Sequence, residues 1–195
     1  MLKIGITGGM GSGKTTVCKI LEVLNIPIYY SDQRAKEIMV SNLQLKAKLI
    51  SSFGDSIFDS DGNLNTILLA SIVFPDQKKL KILNSIVHPI VLSDFSTWCK
   101  NHSNDKYVIL ESAIIYESGI DHLLDQVIII DAPTEIRIQR IIERDKISKE
   151  EVLIRMNTQH ISEEKIKCSK LIILNDGKNS LIDQVMSLHK GFTVL

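Results

Sequence analysis

The sequence feature that most constrains the fold of this chain is a glycine-rich segment near its start, Gly8-Gly9-Met10-Gly11-Ser12-Gly13-Lys14-Thr15. It fits the pattern G-x-x-x-x-G-K-[ST]. The preceding residues, Leu2–Thr7, are an apolar run typical of a buried strand, and residues 15–24 carry apolar side chains at helical spacing. The segment therefore lies between a predicted strand and a predicted helix, as a phosphate-binding loop does. A turn that only joins strand to helix is the alternative, and the complete set of fixed positions argues against it.

Each fixed position of this loop has a chemical reason. Glycines let the backbone curl so that consecutive N–H groups point at one centre, and the helix N-terminus adds partial positive charge. Lys14 is expected to bridge the β- and γ-phosphates of a nucleotide, the Thr15 hydroxyl to ligate Mg²⁺, and Thr16 to add a phosphate contact. The predicted nucleotide-binding residues of the loop are Gly8, Gly9, Met10, Gly11, Ser12, Gly13, Lys14, Thr15 and Thr16.

The rest of the chain alternates short β-rich runs with longer helical runs, which is typical of βαβ units. Further strands are predicted at residues 26–30, Tyr107–Glu111, Gln126–Asp131 and Leu171–Leu174. Helices are expected to begin at Ser31-Asp32 and near Thr134. Residues 43–101 are predicted to be mostly helical, with breaks at Gly54, Asp61-Gly62-Asn63, Pro75 and His88-Pro89. The sequence therefore predicts an α/β fold, a five-stranded parallel sheet flanked by helices, with a helical insertion.

Composition narrows the classes of function. Lys and Arg together number 23, as do Asp and Glu, so the chain has no basic field for a nucleic-acid backbone. It shows neither a secretory signal nor an apolar stretch of the roughly 18 residues that a membrane-spanning helix needs. Cys18, Cys99 and Cys168 match no metal or disulfide pattern, and the histidines form no metal cluster. We expect a cytoplasmic protein with reduced thiols and neither nucleic-acid nor membrane partners. The sequence leaves open whether the protein forms a homo-oligomer.

Candidate residues for a phosphoryl acceptor lie near the ends of predicted strands. Ligands of parallel α/β sheets bind across the carboxyl ends of the strands, so Asp32, just after the second strand, is expected to face the loop and accept a hydroxyl proton. An N-cap of the next helix is an equally good interpretation of Asp32. Glu111 ends the third strand and could hold a Mg²⁺-bound water, or be a buried structural acid. His88, before Pro89, could touch substrate, although a lone histidine is more often structural.

Three arginines share one face of the helix predicted after the fourth strand, at positions i, i+3 and i+7: Arg137, Arg140 and Arg144. Solvated surface arginines are the usual explanation. The next residues, 145–151, are polar apart from Ile147, as expected of a mobile lid that brings an arginine to the phosphates and excludes water. We therefore assign functional roles to Arg140 and Arg144 and leave Arg137 open.

Several segments resemble the dephospho-CoA kinase family, and the likeness covers nearly the whole chain. The phosphate loop and the strand before it are similar to those of the family, and Asp32 falls where the family has its general base. The other similar segments are residues 61–65, residues 84–90 with His88-Pro89, residues 111–117, residues 131–145 with Arg140, Arg144 and Asp145, Arg155-Met156 with Gln159, and Asn175-Asp176-Gly177. The chain departs from the family pattern at Tyr30, Thr66, Ala113 and Lys170.

The resemblance implies a P-loop kinase-like fold, ATP as donor, Mg²⁺ as cofactor, and the ribose 3′-hydroxyl of dephospho-coenzyme A as acceptor, in the last step of coenzyme A synthesis. It implies that Asp32 accepts the hydroxyl proton while Lys14 and Arg140 neutralise the charge on the transferring group. The residues added to the loop as ATP contacts are Arg144 and Asn175. The residues expected to contact the acceptor are Asp32, His88 and Glu111, and Thr15 is the expected Mg²⁺ ligand.

The same resemblance divides one domain, residues 1–195, into three parts. They are a core of about residues 1–30, 105–135 and 170–195, a helical substrate-binding region of about residues 32–101, and a lid of about residues 137–160. A kinase acting on nucleosides or nucleoside monophosphates would share the loop, sheet and lid, and is the nearest alternative. An ATP-gated binding module would need an exposed apolar docking face, and a nucleic-acid-driven ATPase is disfavoured by the charge balance.

Overall fold

The computed structural model describes residues 1–157 and 171–194. The end of the predicted lid, residues 158–160, lies outside the described residues, as do Gln159, Cys168 and Lys170. The chain forms two compact units, one of Met1–Tyr29 with His102–Leu195 and the other of Tyr30–Asn101. Within the described ranges, no helix is both long enough and apolar enough to span a bilayer.

A parallel sheet lies at the centre of the first unit. Its strands are β1 (Leu2–Thr7), β2 (Ile28–Tyr30), β3 (Tyr107–Glu111), β4 (Gln126–Asp131) and β5 (Leu171–Leu174). Parallel pairing joins β1 to β3 on one side and to β4 on the other, and β4 to β5, so the order is β2-β3-β1-β4-β5. Every residue of β3 is buried, as expected for a strand covered on both faces. The predicted five-stranded parallel α/β fold is confirmed.

The strand bounds follow from the apolar runs, with one difference. β1, β3, β4 and β5 begin and end where the sequence predicts. β2 is shorter than predicted because it begins after Pro27, which has no N–H to donate to a sheet. The carbonyl of Pro27 still accepts a hydrogen bond of 3.0 Å from the N–H of Ile109.

Eight helices are described: α1 (Lys14–Val23), α2 (Ser31–Ser41), α3 (Leu43–Phe53), α4 (Thr66–Val73), α5 (Gln77–Asn101), α6 (Thr134–Asp145), α7 (Lys149–Asn157) and α8 (Leu181–Val194). Short 3₁₀ turns lie at Asp55–Ile57 and Ile120–Leu123. In the first unit, α6 and α7 share a buried cluster of Ile138, Ile141, Val152 and Met156, and Met10 of the glycine-rich loop packs against it. Side-chain packing thus attaches the loop to these two helices.

The second unit contains α2 to α5, and one prediction for it was wrong. The expected break at His88-Pro89 does not occur, because α5 runs without interruption for 25 residues with Pro89 inside it. Proline removes one N–H from the helical ladder. This loss is outweighed by the burial of side chains four residues apart along the helix. They are those of Val87, Val91, Phe95 and Cys99. The predicted breaks at Gly54, residues 61–63 and Pro75 are confirmed.

Polar contacts tie the elements of the second unit together. Arg34 of α2 donates from Nε and Nη2 to the two carboxylate oxygens of Asp94 of α5, at 2.8 and 2.9 Å. In the turn before α4, the Asp59 carboxylate accepts from the N–H of Asp61 and of Asn63, at 3.0 and 2.8 Å. These bonds hold the pKa of Asp59 below its usual value. The turn is therefore organised by Asp59, which precedes the residues that sequence analysis singled out.

The N-cap of α4 provides a test of the second unit. The Asn65 side chain accepts a hydrogen bond of 3.0 Å from the N–H of Leu68. We expect Asn65→Ala to cost about 1 kcal/mol, because the helix loses its cap, and to lower the melting temperature by about 2–4 °C. Asn65→Asp keeps an acceptor and is expected to melt with the parent. Equal melting of the alanine variant and the parent in a thermal scan would contradict this role of Asn65.

Candidate active site

The glycine-rich loop between β1 and α1 has the backbone of an anion site. Gly11 and Gly13 have φ of 77° and 103°, a region that side chains disfavour. A Cβ at Gly11 would lie 2.7 Å from the main-chain oxygen of Arg137, and one at Gly13 would collide with Nδ2 of Asn175. Gly13 is also the N-cap of α1 and has no side chain to occupy the helix N-terminus. The loop therefore leaves the positive end of α1 to a ligand.

Three side chains stand at this helix end, those of Lys14 and Thr15 in the motif and of Thr16 directly after it. Lys14 donates from Nζ to the carbonyl oxygen of Gly8 at 2.9 Å, so its ammonium lies along the loop. Thr15 and Thr16 are exposed in the first turn of α1. A carbonyl oxygen is a weaker partner for an ammonium than a phosphate oxygen, so the contact with Gly8 would not prevent Lys14 from binding a phosphate.

Arg140 of α6 and Asn175, just after β5, are brought to the back of the loop. Arg140 donates from Nη2 to the main-chain oxygen of Asn175 at 3.2 Å and to its Oδ1 at 3.1 Å. Its Nη1 makes longer contacts of 3.4 and 3.5 Å with the carbonyl oxygens of Gly11 and Ser12. Asn175 in turn donates from Nδ2 to the Ser12 carbonyl at 2.8 Å. Two of the predicted residues therefore form one network with the loop backbone.

Arg137, which the sequence left open, also contacts the loop. Its Nε donates to the carbonyl oxygen of Met10 at 2.9 Å, and a Cβ on Gly9 would collide with its guanidinium. Burial lowers the pKa of Arg137, and the nearby Asp131 carboxylate opposes that shift. The sequence signal was the spacing of three from Arg140. This spacing could not show what Arg137 contacts, because its partner is a main-chain carbonyl.

Arg144 has a different environment. It donates from Nε and Nη2 to the two carboxylate oxygens of Asp145, at 2.7 and 3.0 Å, and is 63% exposed. Nη1 of Arg155 lies 3.6 Å from the same carboxylate. Hydrogen bonding from Arg144 lowers the pKa of Asp145, so this carboxylate stays charged between the two arginines. The prediction that Arg144 contacts ATP thus requires it to leave, or to share, Asp145.

Two carboxylates and the Thr7 hydroxyl lie at the carboxyl ends of the central strands, and the Ser12 hydroxyl lies in the loop. Glu111 is buried at the end of β3, in register with Ile6 of β1, two residues before the loop. Asp131 ends β4, and its Oδ1 accepts from the N–H of Ala132 at 2.9 Å. Within the described residues, the buried hydroxyls of Thr7 and Ser12 have no hydrogen-bond partner. Buried oxygens without partners mark a place that a ligand or water completes.

These donors fit Mg²⁺ better than a softer ion. They are carboxylate and hydroxyl oxygens beside a phosphate-binding loop, and Mg²⁺ is held by few protein oxygens together with water and phosphate. The described part of the chain contains no cluster of three His, Cys, Asp or Glu side chains at metal-binding distance. The neighbouring Cys18 is a buried free thiol whose pKa is raised by burial and by the Glu111 charge, so it stays protonated and is a poor metal ligand.

Asp32 and His88 belong to the second unit. Asp32 is exposed in the first turn of α2, and the N-cap of that helix is Tyr30. The N-cap interpretation of Asp32 was therefore wrong, because Ser31 is already helical and shifts the cap to the end of β2. A carboxylate in the first turn still interacts favourably with the helix dipole. His88 is half-buried in α5, and burial lowers its pKa, so its imidazole is neutral at pH 7.

Comparison with known proteins places the chain in one family. The model of the family described as CoaE, Dephospho-CoA kinase, matches residues 2–180. Dephospho-CoA kinase of Bacteroides fragilis is 36% identical over 187 residues, which cover 96% of this chain and 91% of that protein.

Two solved structures agree with this match. The crystal structure of TT1252 from Thermus thermophilus has a TM-score of 0.80 and 31% sequence identity to this chain. The match covers 100% of this chain and 97% of the TT1252 chain. Dephospho-CoA kinase from Campylobacter jejuni has a TM-score of 0.69 and 25% identity, with 96% and 95% coverage. Because the family model and these relatives span nearly the whole chain, the protein is a member of the dephospho-CoA kinase family.

Proposed function

We propose that the protein transfers the γ-phosphoryl group of ATP to the ribose 3′-hydroxyl of dephospho-coenzyme A, giving coenzyme A and ADP. Membership of the family supports the choice of acceptor. The observation that carries the donor side is the loop at the N-terminus of α1, with Gly11 and Gly13 at positive φ and Lys14 lying along it. Such a loop concentrates N–H dipoles on one anion.

On the donor side, catalysis is a matter of charge and position. The transferring phosphoryl group passes through a loose transition state with its charge spread over the equatorial oxygens. Lys14 moves from the Gly8 carbonyl, 2.9 Å away, to the β- and γ-phosphate oxygens. Arg140, which already spans Asn175 and the loop carbonyls, contributes a second positive charge. In this proposal both cations belong to the loop's surroundings before ATP binds, which limits the reorganisation that the reaction requires.

Mg²⁺ fits the oxygen donors at this site. When bound, it neutralises phosphate charge and aligns the β- and γ-phosphoryl groups. The Thr15 hydroxyl, exposed in the first turn of α1, is the direct protein ligand in this proposal. Glu111, buried at the end of β3, would hold the metal through a water. The second carboxylate near the loop, that of Asp131, opposes the lowering of the Arg137 pKa that burial causes.

On the acceptor side, Asp32 is the proposed general base. Its carboxylate is exposed in the first turn of α2. It accepts the proton of the 3′-hydroxyl as that oxygen attacks the γ-phosphorus. His88 is neutral because burial lowers its pKa. It donates a hydrogen bond to dephospho-coenzyme A or accepts one from it. Since bond formation to the attacking oxygen lags in a loose transition state, Asp32 contributes less to the rate than Lys14 does.

The first prediction of the proposed function concerns the acceptor. Purified protein with ATP and Mg²⁺ is expected to form ADP rapidly only when dephospho-coenzyme A is added, because the hydroxyl replaces water as the nucleophile. Adenosine and nucleoside monophosphates serve as controls, and the 3′-phosphorylated product is identified by mass spectrometry. ADP formation with a nucleoside monophosphate in place of dephospho-coenzyme A would move the chain to another acceptor class. No acceptor dependence at all would favour an ATP-gated binding module.

The second prediction concerns charge at the loop. Lys14→Met is expected to lower kcat by about 10²–10³-fold, because one preorganised donor to the transition-state charge is lost. Lys19→Met removes an exposed lysine from the same helix and is expected to keep the parent kcat. Steady-state kinetics with saturating ATP measures both variants, and circular dichroism checks their folding. A folded Lys14→Met protein with the parent kcat would rule out this role.

The third prediction concerns the base. Asp32→Asn is expected to lower kcat by about 10²-fold at pH 7, because the 3′-hydroxyl loses its proton acceptor. The matched control is Asp183→Asn, which removes an exposed carboxylate from the first turn of α8 and with it a similar interaction with a helix dipole. Stopped assays of coenzyme A formation measure both variants. Unchanged turnover of Asp32→Asn would remove the base assignment and leave the family membership untouched.

A further inference from the structure

Side chains from outside the motif hold two carbonyl oxygens of the loop, those of Met10 and Ser12, in hydrogen bonds of ordinary length. Arg137 Nε binds the oxygen of Met10 at 2.9 Å, and Asn175 Nδ2 binds that of Ser12 at 2.8 Å. The described chain has no cis peptide bond, and in a trans peptide the C=O and the next N–H point in opposite directions. A carbonyl held towards α6 therefore turns the N–H of Gly11 away from α6. By the same geometry, Asn175 turns the N–H of Gly13 away from itself.

We propose that Arg137 is a positioning residue for the nucleotide, which fixes the Met10–Gly11 peptide so that the Gly11 N–H is directed at the phosphates before ATP arrives. The proposal rests on ATP being the ligand of this loop. Arg137 acts through the loop backbone in this scheme and needs no contact with the phosphates.

Three further observations support this role. The Met10 side chain packs on the buried cluster of α6 and α7, so the residue is held at both its side chain and its carbonyl. The guanidinium of Arg137 covers the face of Gly9 where a Cβ would stand. The main-chain oxygen of Arg137 lies 2.7 Å from the position of a Cβ on Gly11. The peptide between Met10 and Gly11 is thus enclosed by α6 on more than one side.

Arginine suits this position because of where Nε lies along the side chain. In glutamine, Nε2 is separated from Cα by the same number of bonds as Nε of arginine, and it is also an N–H donor. In methionine, the corresponding atom is a methyl carbon, which cannot donate. Arg137→Gln and Arg137→Met therefore form a matched pair that differs in the hydrogen bond to Met10, while both lack the positive charge.

The test is the binding of ATP with Mg²⁺ to the full-length protein, measured by calorimetry, with kinetics alongside. For Arg137→Met we expect a 5- to 10-fold rise in the Kd and KM for ATP, since one hydrogen bond of ordinary strength is lost. The kcat should stay within about twofold of the parent, because the Gly11 N–H binds the phosphates equally in the ground and transition states. Arg137→Gln should return the Kd to within about twofold of the parent.

The control is Gln139→Met, on the exposed side of the same helix, which is expected to bind ATP as the parent does. Parent-like affinity of Arg137→Met would overturn the proposal, and so would an Arg137→Gln variant as weak as Arg137→Met, since charge and not the hydrogen bond would then matter. If the parent itself binds no ATP, it is the proposed function that fails.

A second measurement follows the contact between Arg137 and Gly9. Gly9→Ala places a methyl group where the guanidinium lies and is expected to weaken ATP binding in the parent. In the Arg137→Met background the same change should cost at least threefold less in affinity, because neighbouring residues that act through one contact are not additive. An equal cost in both backgrounds would contradict the transmission of the Arg137 effect through the loop.

Discussion

The glycine-rich loop can bind an anion only if several of its backbone N–H groups point at one place. The rest of this structure depends on how those N–H groups are held in position. They are held through the carbonyl groups on the opposite sides of the same peptides, whose oxygens are bound by side chains. Lys14 binds the oxygen of Gly8, Arg137 that of Met10 and Asn175 that of Ser12. Each of these bonds orients the N–H that follows it in the chain. In the proposed function Lys14 leaves Gly8 when phosphate binds, so the other two bonds would maintain the loop's conformation.

The sheet explains why these partners meet. Strands β4 and β5 lie beside β1 in that order and run parallel to it, so all three end at the same edge. The loop follows β1, α6 follows β4, and Asn175 follows β5. Arg137, one turn into α6, and Asn175, directly after β5, are therefore within reach of the loop carbonyls. Burial of β4 and packing of Met10 on α6 and α7 keep that geometry rigid.

Much of this could be predicted from the sequence, and the failures have physical reasons. Uninterrupted apolar runs define β3 and β4, and the loop carries its own motif. The break expected at Pro89 was wrong because long-range burial along α5 outweighs one missing hydrogen bond. The contact of Arg137 with the loop could not be predicted because its partner is a backbone carbonyl, which no residue type reveals. The exposed ion pair of Arg144 with its neighbour Asp145 likewise depends on side-chain geometry, which spacing does not specify.

The most direct test of a preformed loop is a crystal structure with Mg²⁺ and a non-hydrolysable ATP analogue. The account predicts that Nε of Arg137 and Nδ2 of Asn175 stay at about 3 Å from the carbonyl oxygens of Met10 and Ser12. Lys14 should have left the Gly8 carbonyl for the phosphates, with Gly11 and Gly13 still at positive φ. A structure in which Arg137 has left Met10 to bind phosphate, or in which the Met10–Gly11 peptide has flipped, would contradict it.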